Sequence, residues 1–350
     1  MSFIKSKFHH PGLPTNDLGL TYRDYEGSLS TLCAGCGHDA IGAAVTQACH
    51  ELSLPPHRIA KLSGIGCSSK APTYFLDKAH GFNTVHGRMP SVATGANLAN
   101  RDLVYIGMSG DGDSAAIGFG QFAHVVRRRL NMLYLVANNG VYGLTKGQIS
   151  ATADRGSKTK KGVENLFEGI DLPTMALQLG ASFVARSFSG DTAQLVPLLK
   201  AALSHKGFAF IDVISPCVTF NNHPGSTRSY DYVRDHIETA AITDFVPVRE
   251  EIKASCEVGE CKEICLHDGS ILRLQRAGED YDPRNRRSAI DAIEKHKEQG
   301  EVLTGLLYVD PTAEDLHEIL DTTDKPLNTL AEDMLCPGTG TLEAINASFQ

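Results

Sequence analysis

Residues 110–148 read GDGDSAAIGFGQFAHVVRRRLNMLYLVANNGVYGLTKGQ, and two short motifs in this stretch decide the fold. The apolar run LVYIGMS at 103–109 leads directly into Gly110-Asp111-Gly112. A second run, MLYLVAN at 132–138, ends on Asn138-Asn139. Both have the length and composition of strands buried on both faces. Between them, 118–130 has the spacing of an amphipathic helix, closed by Arg127, Arg128 and Arg129, which suit a helix C-terminus. Strand, helix, strand implies parallel neighbours joined by a right-handed crossover. Both motifs then fall on the carboxyl rim of one sheet, where such sheets bind ligands. The residue types there suit a diphosphate neutralised by Mg2+. Glycines let backbone N–H groups approach phosphate closely, while carboxylate, amide and carbonyl oxygens complete the shell of the cation.

Outward from this stretch the alternation continues. Residues 38–52 have helical spacing, 59–64 read as a short strand, 82–86 as another, and 91–100 as a small-residue helix. A helix near 191–204 and an apolar strand at 208–214 follow. The expected fold class is α/β, a doubly wound and mainly parallel sheet with helices on both faces. Residues 1–217 form the expected binding domain. Residues 218–350 are more polar and irregular, with a helix at 287–298, and read as an extension packing on the core or on a partner subunit.

The chain has 350 residues, of which 42% are hydrophobic and 21% charged, which fits a globular protein with a sizeable core. Its net charge of −8 argues against a general nucleic-acid binder, which would be basic. No signal-like apolar segment and no membrane-length apolar run is present, so the sequence reads as cytoplasmic, with no membrane partner. In that compartment the 9 cysteines need an explanation other than disulfides. Cys33-Ala34-Gly35-Cys36 stands just before a helix, and by itself this Cys-x-x-Cys suits a zinc half-site, a redox pair or an iron–sulfur half-site. Cys67 and Cys217 each follow a predicted strand and so emerge on the same rim. The four can converge beside the diphosphate site as the thiolates of one [4Fe–4S] cluster.

A Gly-Asp-Gly at a strand end with Asn-Asn following the next strand resembles the thiamine diphosphate (ThDP) enzymes. With LCAGCGH at 32–38, GIGCSSKAP at 64–72, VHGRMPSVATGANLAN at 85–100, ANNGVYGLTKGQ at 137–148 and SPC at 215–217, the chain closely resembles the β subunit of 2-oxoacid:ferredoxin oxidoreductases, particularly the 2-oxoglutarate type. The resemblance covers about residues 20–235. It implies oxidative decarboxylation of a 2-oxoacid with coenzyme A to acyl-CoA and CO2, reversible in principle, with electrons passing through the cluster to ferredoxin. A low-potential cluster suits that task because it accepts electrons one at a time from the reducing carbon left on ThDP.

Site residues carry over by position. The resemblance implies Mg2+ ligation by Asp111, Asn139 and the Val141 carbonyl, and diphosphate contacts from Gly112, Asp113, Gly143, Leu144 and Thr145. Gly110, His86 and the segment Ile65, Gly66, Cys67, Ser68 would also line the cofactor. Cys33, Cys36, Cys67 and Cys217 would ligate the cluster, and Lys70 would meet the substrate carboxylate as a compact ammonium. ThDP also needs a glutamate on its aminopyrimidine, and no second α/β half is visible to supply it. An α subunit is therefore the expected partner, in an αβ dimer or (αβ)2.

Each reading has a plainer competitor. Lys70 could be a surface lysine, His86-Gly87-Arg88 a structural turn, and Asp113 a helix cap. His38 could tune the cluster or be a first-turn polar residue, and Cys49 reads as core. Cys256, Cys261, Cys265 and Cys336 could build a second metal site, although their spacing is no ferredoxin pattern. The loop 150–162 could fold over the cofactor or approach coenzyme A phosphates, or be flexible. Pyruvate or a branched-chain 2-oxoacid is the alternative substrate. A non-redox ThDP decarboxylase or synthase with a structural metal, or a non-catalytic iron–sulfur protein, are the alternative classes.

Overall fold

The computed structural model describes residues 10–246, 261–276, 281–336 and 338–349. In chain order the strands are β1 (Ile59–Ser63), β2 (His80–Asn83), β3 (Val104–Gly110), β4 (Met132–Asn138), β5 (Val141–Tyr142), β6 (Gln148–Ile149), β7 (Phe183–Phe188), β8 (Phe208–Ile214), β9 (Ile237–Thr239), β10 (Ala241–Val246), β11 (Cys261–Cys265), β12 (Ile271–Arg276) and β13 (Val302–Val309). The helices that cover them are α1 (Gly37–Glu51), α2 (Met89–Ala99), α3 (Phe119–Arg127), α4 (Leu172–Leu179), α5 (Thr192–Ser204), α6 (Tyr230–His236) and α7 (Arg286–Glu298).

The main sheet has 8 strands in the order β2-β1-β3-β4-β8-β7-β13-β9. All its pairings are parallel except that of β13 with β7, which is antiparallel. Alternation along each central strand feeds two cores. Ile106 and Met108 of β3, Leu133 and Leu135 of β4, and Ile211 and Val213 of β8 face one side with α1 and α5. Tyr105, Tyr134, Val136, Phe208 and Phe210 face the other, under α2, α3, α4 and α7. Because both faces are buried, these strands read as nearly continuous apolar runs, broken in β8 by Asp212. The expected doubly wound α/β fold is what the chain adopts.

The chain beyond residue 217 does more than pack on this core. Its strands β9 and β13 belong to the main sheet, and Leu306, Leu307 and Val309 are fully buried in it. Strands β10, β12 and β11 make a separate antiparallel sheet, with β10 against α5 and β13. Cys256 lies outside the described residues; Cys265 and Cys336 are exposed. No helix among the described residues is long and apolar enough to cross a membrane.

Candidate active site

Four neighbouring strands, β1, β3, β4 and β8, end on one rim, and the residues that follow them meet there. One cavity at that rim is lined by Ile65, Gly66, Cys67 and Ser68 after β1, and by Gly110, Asp111, Gly112 and Asp113 at the end of β3. Asn139, Val141, Gly143, Leu144 and Thr145 line it after β4, with His86 from the loop after β2. Two further residues join them: His38, at the start of α1, and Tyr142. The structure thus gathers around one cavity all the positions expected to contact the cofactor.

Asp111 is 1% exposed. Its Oδ2 accepts from Thr152 Oγ1 at 2.7 Å and its Oδ1 from the Asn139 N–H at 3.4 Å. Burial pushes its pKa up, and those donors hold the charged form only in part. A buried carboxylate with no cationic side chain bonded to it, turned to a cavity, fits a divalent cation, whose charge removes that penalty. Asn139 is fixed as well. Its Oδ1 accepts from the Val141 N–H at 3.0 Å, and its carbonyl from Asn221 Nδ2 at 2.7 Å. Gly140 makes this turn with φ of +71°, a conformation most side chains avoid.

Asp113 is spent on its surroundings. Its Oδ2 accepts from Ser109, and its Oδ1 faces His86 Nδ1 and accepts from the Gly87 N–H at 2.7 Å. The carboxylate therefore pins His86 at the cavity edge. The chain from Gly112 to Ile117 is a π-helical turn, a widened geometry often found at functional sites. Beyond the cavity the segment Val141–Ile149 folds back as the β5–β6 hairpin, whose tip carries Gly143, Leu144 and Thr145.

The sulfurs lie alongside. A Cβ on Gly143 would stand 3.6 Å from both Cys67 Sγ and Cys217 Sγ, so these thiols flank the open side of that glycine. Burial pushes the Cys36 thiol up to about 11 and raises Cys67 too, with the neighbouring Cys217 adding to both; Cys33 also bears on Cys67. The Lys70 ammonium acts on Cys67 in the opposite sense; the Lys70 N–H bonds the Cys67 carbonyl at 3.1 Å, and the Lys70 side chain is exposed. Cys33 is the exposed thiol of the four, and Thr219 Oγ1 donates to its Sγ at 3.5 Å. Among the described residues no group of three or more His, Cys, Asp or Glu could hold a single metal ion. Four cysteine thiolates, each on a different iron, are the donor set of a [4Fe–4S] cluster.

His38 stands where the plainer of its two readings has it, in the first turn of α1. It is 1% exposed, its Nδ1 lies 2.7 Å from Ser215 Oγ, and burial lowers its pKa to about 4. Cys49 is fully buried in the core. Thr152, Tyr142 and Ser215 are contacts that motif reading passed over, because each acts through a partner remote in sequence. From the loop 150–162, Thr152 enters the site, while Lys158, Lys160 and Lys161 are exposed and Lys160 Nζ donates to the Thr219 carbonyl at 3.2 Å.

Residues 64–213 match the family model described as thiamine pyrophosphate enzyme, C-terminal TPP binding domain. A 2-oxoacid:ferredoxin oxidoreductase subunit beta from Sulfolobus sp is 44% identical over 191 residues, a match that spans 54% of this chain and 63% of the relative. A 2-oxoglutarate synthase subunit KorB from Methanocaldococcus jannaschii is 40% identical, over 54% of this chain and 69% of that protein. Among solved structures, the 2-oxoglutarate:ferredoxin oxidoreductase from Magnetococcus marinus with 2-oxoglutarate, coenzyme A and succinyl-CoA bound superposes with a TM-score of 0.69 and 30% identity. That match covers 87% of this chain and 92% of the other.

Proposed function

The chain belongs to the family of 2-oxoacid:ferredoxin oxidoreductase β subunits, and we propose that it binds ThDP, Mg2+ and one [4Fe–4S] cluster and oxidises a 2-oxoacid together with an α subunit. The substrate we favour is 2-oxoglutarate, converted with coenzyme A to its acyl-CoA and CO2, with electrons delivered to ferredoxin in the cytoplasm. The observation that carries this reading is one juxtaposition. Cys67 and Cys217 flank Gly143, and Gly143 lines the same cavity as the buried Asp111.

Within it the residues divide the work. Asp111, Asn139 Oδ1 and the Val141 carbonyl would hold Mg2+, with Gly112, Asp113 and the Gly143–Thr145 tip offering backbone N–H groups to the diphosphate. Cys33, Cys36, Cys67 and Cys217 would hold the cluster. When bound, ThDP supplies the carbanion chemistry of decarboxylation and the cluster supplies one-electron transfer. Lys70, exposed beside Cys67, would draw in the substrate carboxylate. His38, lowered to about 4, stays neutral at physiological pH and adds no charge near the sulfurs. Cys33 is the exposed thiol, and electrons would leave on its side. The activating glutamate of ThDP and part of the substrate and coenzyme A sites fall to the α subunit.

The test is anaerobic co-purification with the α subunit, analysis for iron and ThDP, and assay against 2-oxoglutarate, pyruvate and a branched-chain 2-oxoacid with coenzyme A and ferredoxin. About four irons per αβ pair and ferredoxin reduction with 2-oxoglutarate are expected. An iron-free complex that still decarboxylates would establish the non-redox alternative. Preference for another acid would reassign the substrate alone.

A further inference from the structure

Behind Asp111 runs a buried chain of polar side chains that none of the roles above uses. Thr152 is 2% exposed and donates through Oγ1 to Asp111 Oδ2 at 2.7 Å. The same hydroxyl lies 3.1 Å from Asn138 Oδ1 and 3.3 Å from Ser150 Oγ. Asn138 Nδ2 donates to Asp212 Oδ1 at 3.1 Å, and Asp212 Oδ2 accepts from Arg186 Nε at 3.1 Å. Arg186 closes on Asp171, whose Oδ1 accepts from the Thr174 N–H at 2.8 Å and so caps α4. Behind Thr152, four residues are thus hydrogen-bonded in series across β4, β8, β7 and the N-terminus of α4.

The direction of each bond follows from chemistry. Asp212 can only accept while it is ionised beside Arg186, so the Asn138 amide nitrogen faces it and the amide oxygen faces Thr152. Thr152 has one proton; the shorter contact, to a carboxylate, takes it, so the Asn138 oxygen packs against the hydroxyl without a hydrogen bond and Ser150 Oγ, at 3.3 Å, is the donor that can reach it. Asp111 then has Oδ2 held by the Thr152 hydroxyl and Oδ1 by the longer Asn139 N–H contact at 3.4 Å, with further lone pairs left on both oxygens. Mg2+ demands near-ideal octahedral geometry, so a carboxylate free to rotate would lose affinity for it.

We infer that Thr152 is a positioning residue, whose buried hydroxyl donates to Asp111 Oδ2 and orients that carboxylate for the divalent cation. The inference rests on the reading of Asp111 as a metal ligand. The test uses the αβ complex of wild type, Thr152→Val and Thr152→Ser, with Mn2+ as probe at saturating ThDP, free Mn2+ being followed by its paramagnetic resonance signal. Lost outer-shell partners weaken metal affinity by about 10- to 100-fold, the loss expected for Thr152→Val, while Thr152→Ser should stay within a few-fold of wild type. If Thr152→Val does not fold, Thr152→Ala removes the same hydroxyl and carries the same expectation. Wild-type Mn2+ affinity in the folded Val or Ala variant would overturn the inference. So would a Ser variant as weak as Val, since the lost contact would then be the methyl group. A wild-type complex that takes up no Mn2+ with ThDP would instead overturn the metal site itself, and the inference with it.

Discussion

Gly112→Ala probes how tightly the cavity is shaped. A Cβ at residue 112 would lie 2.4 Å from Tyr142 Cε1, 2.6 Å from Cζ and 2.8 Å from Cδ1. Carbon–carbon contact is comfortable at about 3.5–4.0 Å, so the ring has to retreat by about 1 Å. The Tyr142 hydroxyl donates to the Gly112 carbonyl at 3.2 Å, and Tyr142 is held in β5 beside Val141, paired with Gln148. A retreating ring therefore pulls on the Val141 carbonyl and on the hairpin tip that carries Gly143. Overpacking of this kind costs about 1–3 kcal/mol. If the strain is relieved by giving up the binding geometry, the Kd for ThDP with Mg2+ rises by about 5- to 150-fold. The assay is calorimetric titration of the αβ complex with ThDP at saturating Mg2+, alongside a urea unfolding midpoint. A wild-type Kd with a wild-type midpoint would refute the reasoning, because it would mean that the half-buried ring swings aside freely. A full stability loss with an unchanged Kd would show that the strain stops short of Val141.

The other consequences are more direct. Cys217→Ser should take the iron content from about four per chain to near zero under anaerobic conditions, while ThDP still binds, since Cys217 does not line the cofactor cavity. Arg186→Leu leaves Asp212 and Asp171 without their shared cation, and removing one partner of a buried network costs about 3–5 kcal/mol, measurable as a lower urea midpoint at pH 7. The deficit should shrink on acidification, because burial already pushes Asp212 up and protonation then relieves the uncompensated charge. Burial also lowers His38 to about 4 and His205 to about 3, so the unfolded chain binds protons first. Stability is then complete above the unfolded value of about 6.5 and falls by about 1.4 kcal/mol per pH unit per histidine down to the folded values. His205→Gln should remove one proton's worth of that slope from the midpoint-versus-pH curve, and a curve parallel to wild type would count against it.

What the sequence made legible follows from what each element needs. Strands β3, β4 and β8 are buried on both faces, so their largely apolar runs announce them, and the Gly-Asp-Gly and Asn-Asn at the ends of β3 and β4 announce the rim; β1 was legible in spite of Lys61 at its centre. Strand β7 was invisible because Arg186 stands in its middle. The carboxylates that make a buried arginine tolerable, Asp171 and Asp212, are 15 and 26 residues away in sequence. The edge strand β2 falls at 80–83 instead of 82–86. It is exposed throughout and has no apolar pattern to fix its register, which pairing with β1 sets from Ala60–His80 to Ser63–Asn83. Strand β13 was passed over because the polar composition of its surroundings suggested an extension, although VLTGLLYV is itself an apolar run of strand length. Thr152 carries no motif; it reaches Asp111 only because the Ser150 N–H bonds the Gly140 carbonyl and closes the intervening hairpin.

The order of strands explains how four separated motifs come to share one rim. Strands β1, β3, β4 and β8 are consecutive neighbours, all parallel, so their C-terminal ends form a row with about 4.8 Å between strands. Cys67 follows the first of them, Asp111 the second, Asn139 the third and Cys217 the last. The outermost pair is then about 14 Å apart before the loops fold inward, a span that loops of a few residues close easily. Cys33 and Cys36 have no strand of their own and must be delivered by α1, which packs against α5 across the same face of the sheet. The docking is specific at its tip. A Cβ on Gly37 would lie 2.5 Å from Ser189 Oγ and from Ser215 Oγ, and His38 Nδ1 meets the same Ser215 hydroxyl. Ser215 stands two residues before Cys217, and His38 two residues after Cys36. One hydrogen bond therefore ties the Cys-x-x-Cys segment to the strand end that carries Cys217, and only a residue without a side chain at position 37 lets the two approach closely enough to make it.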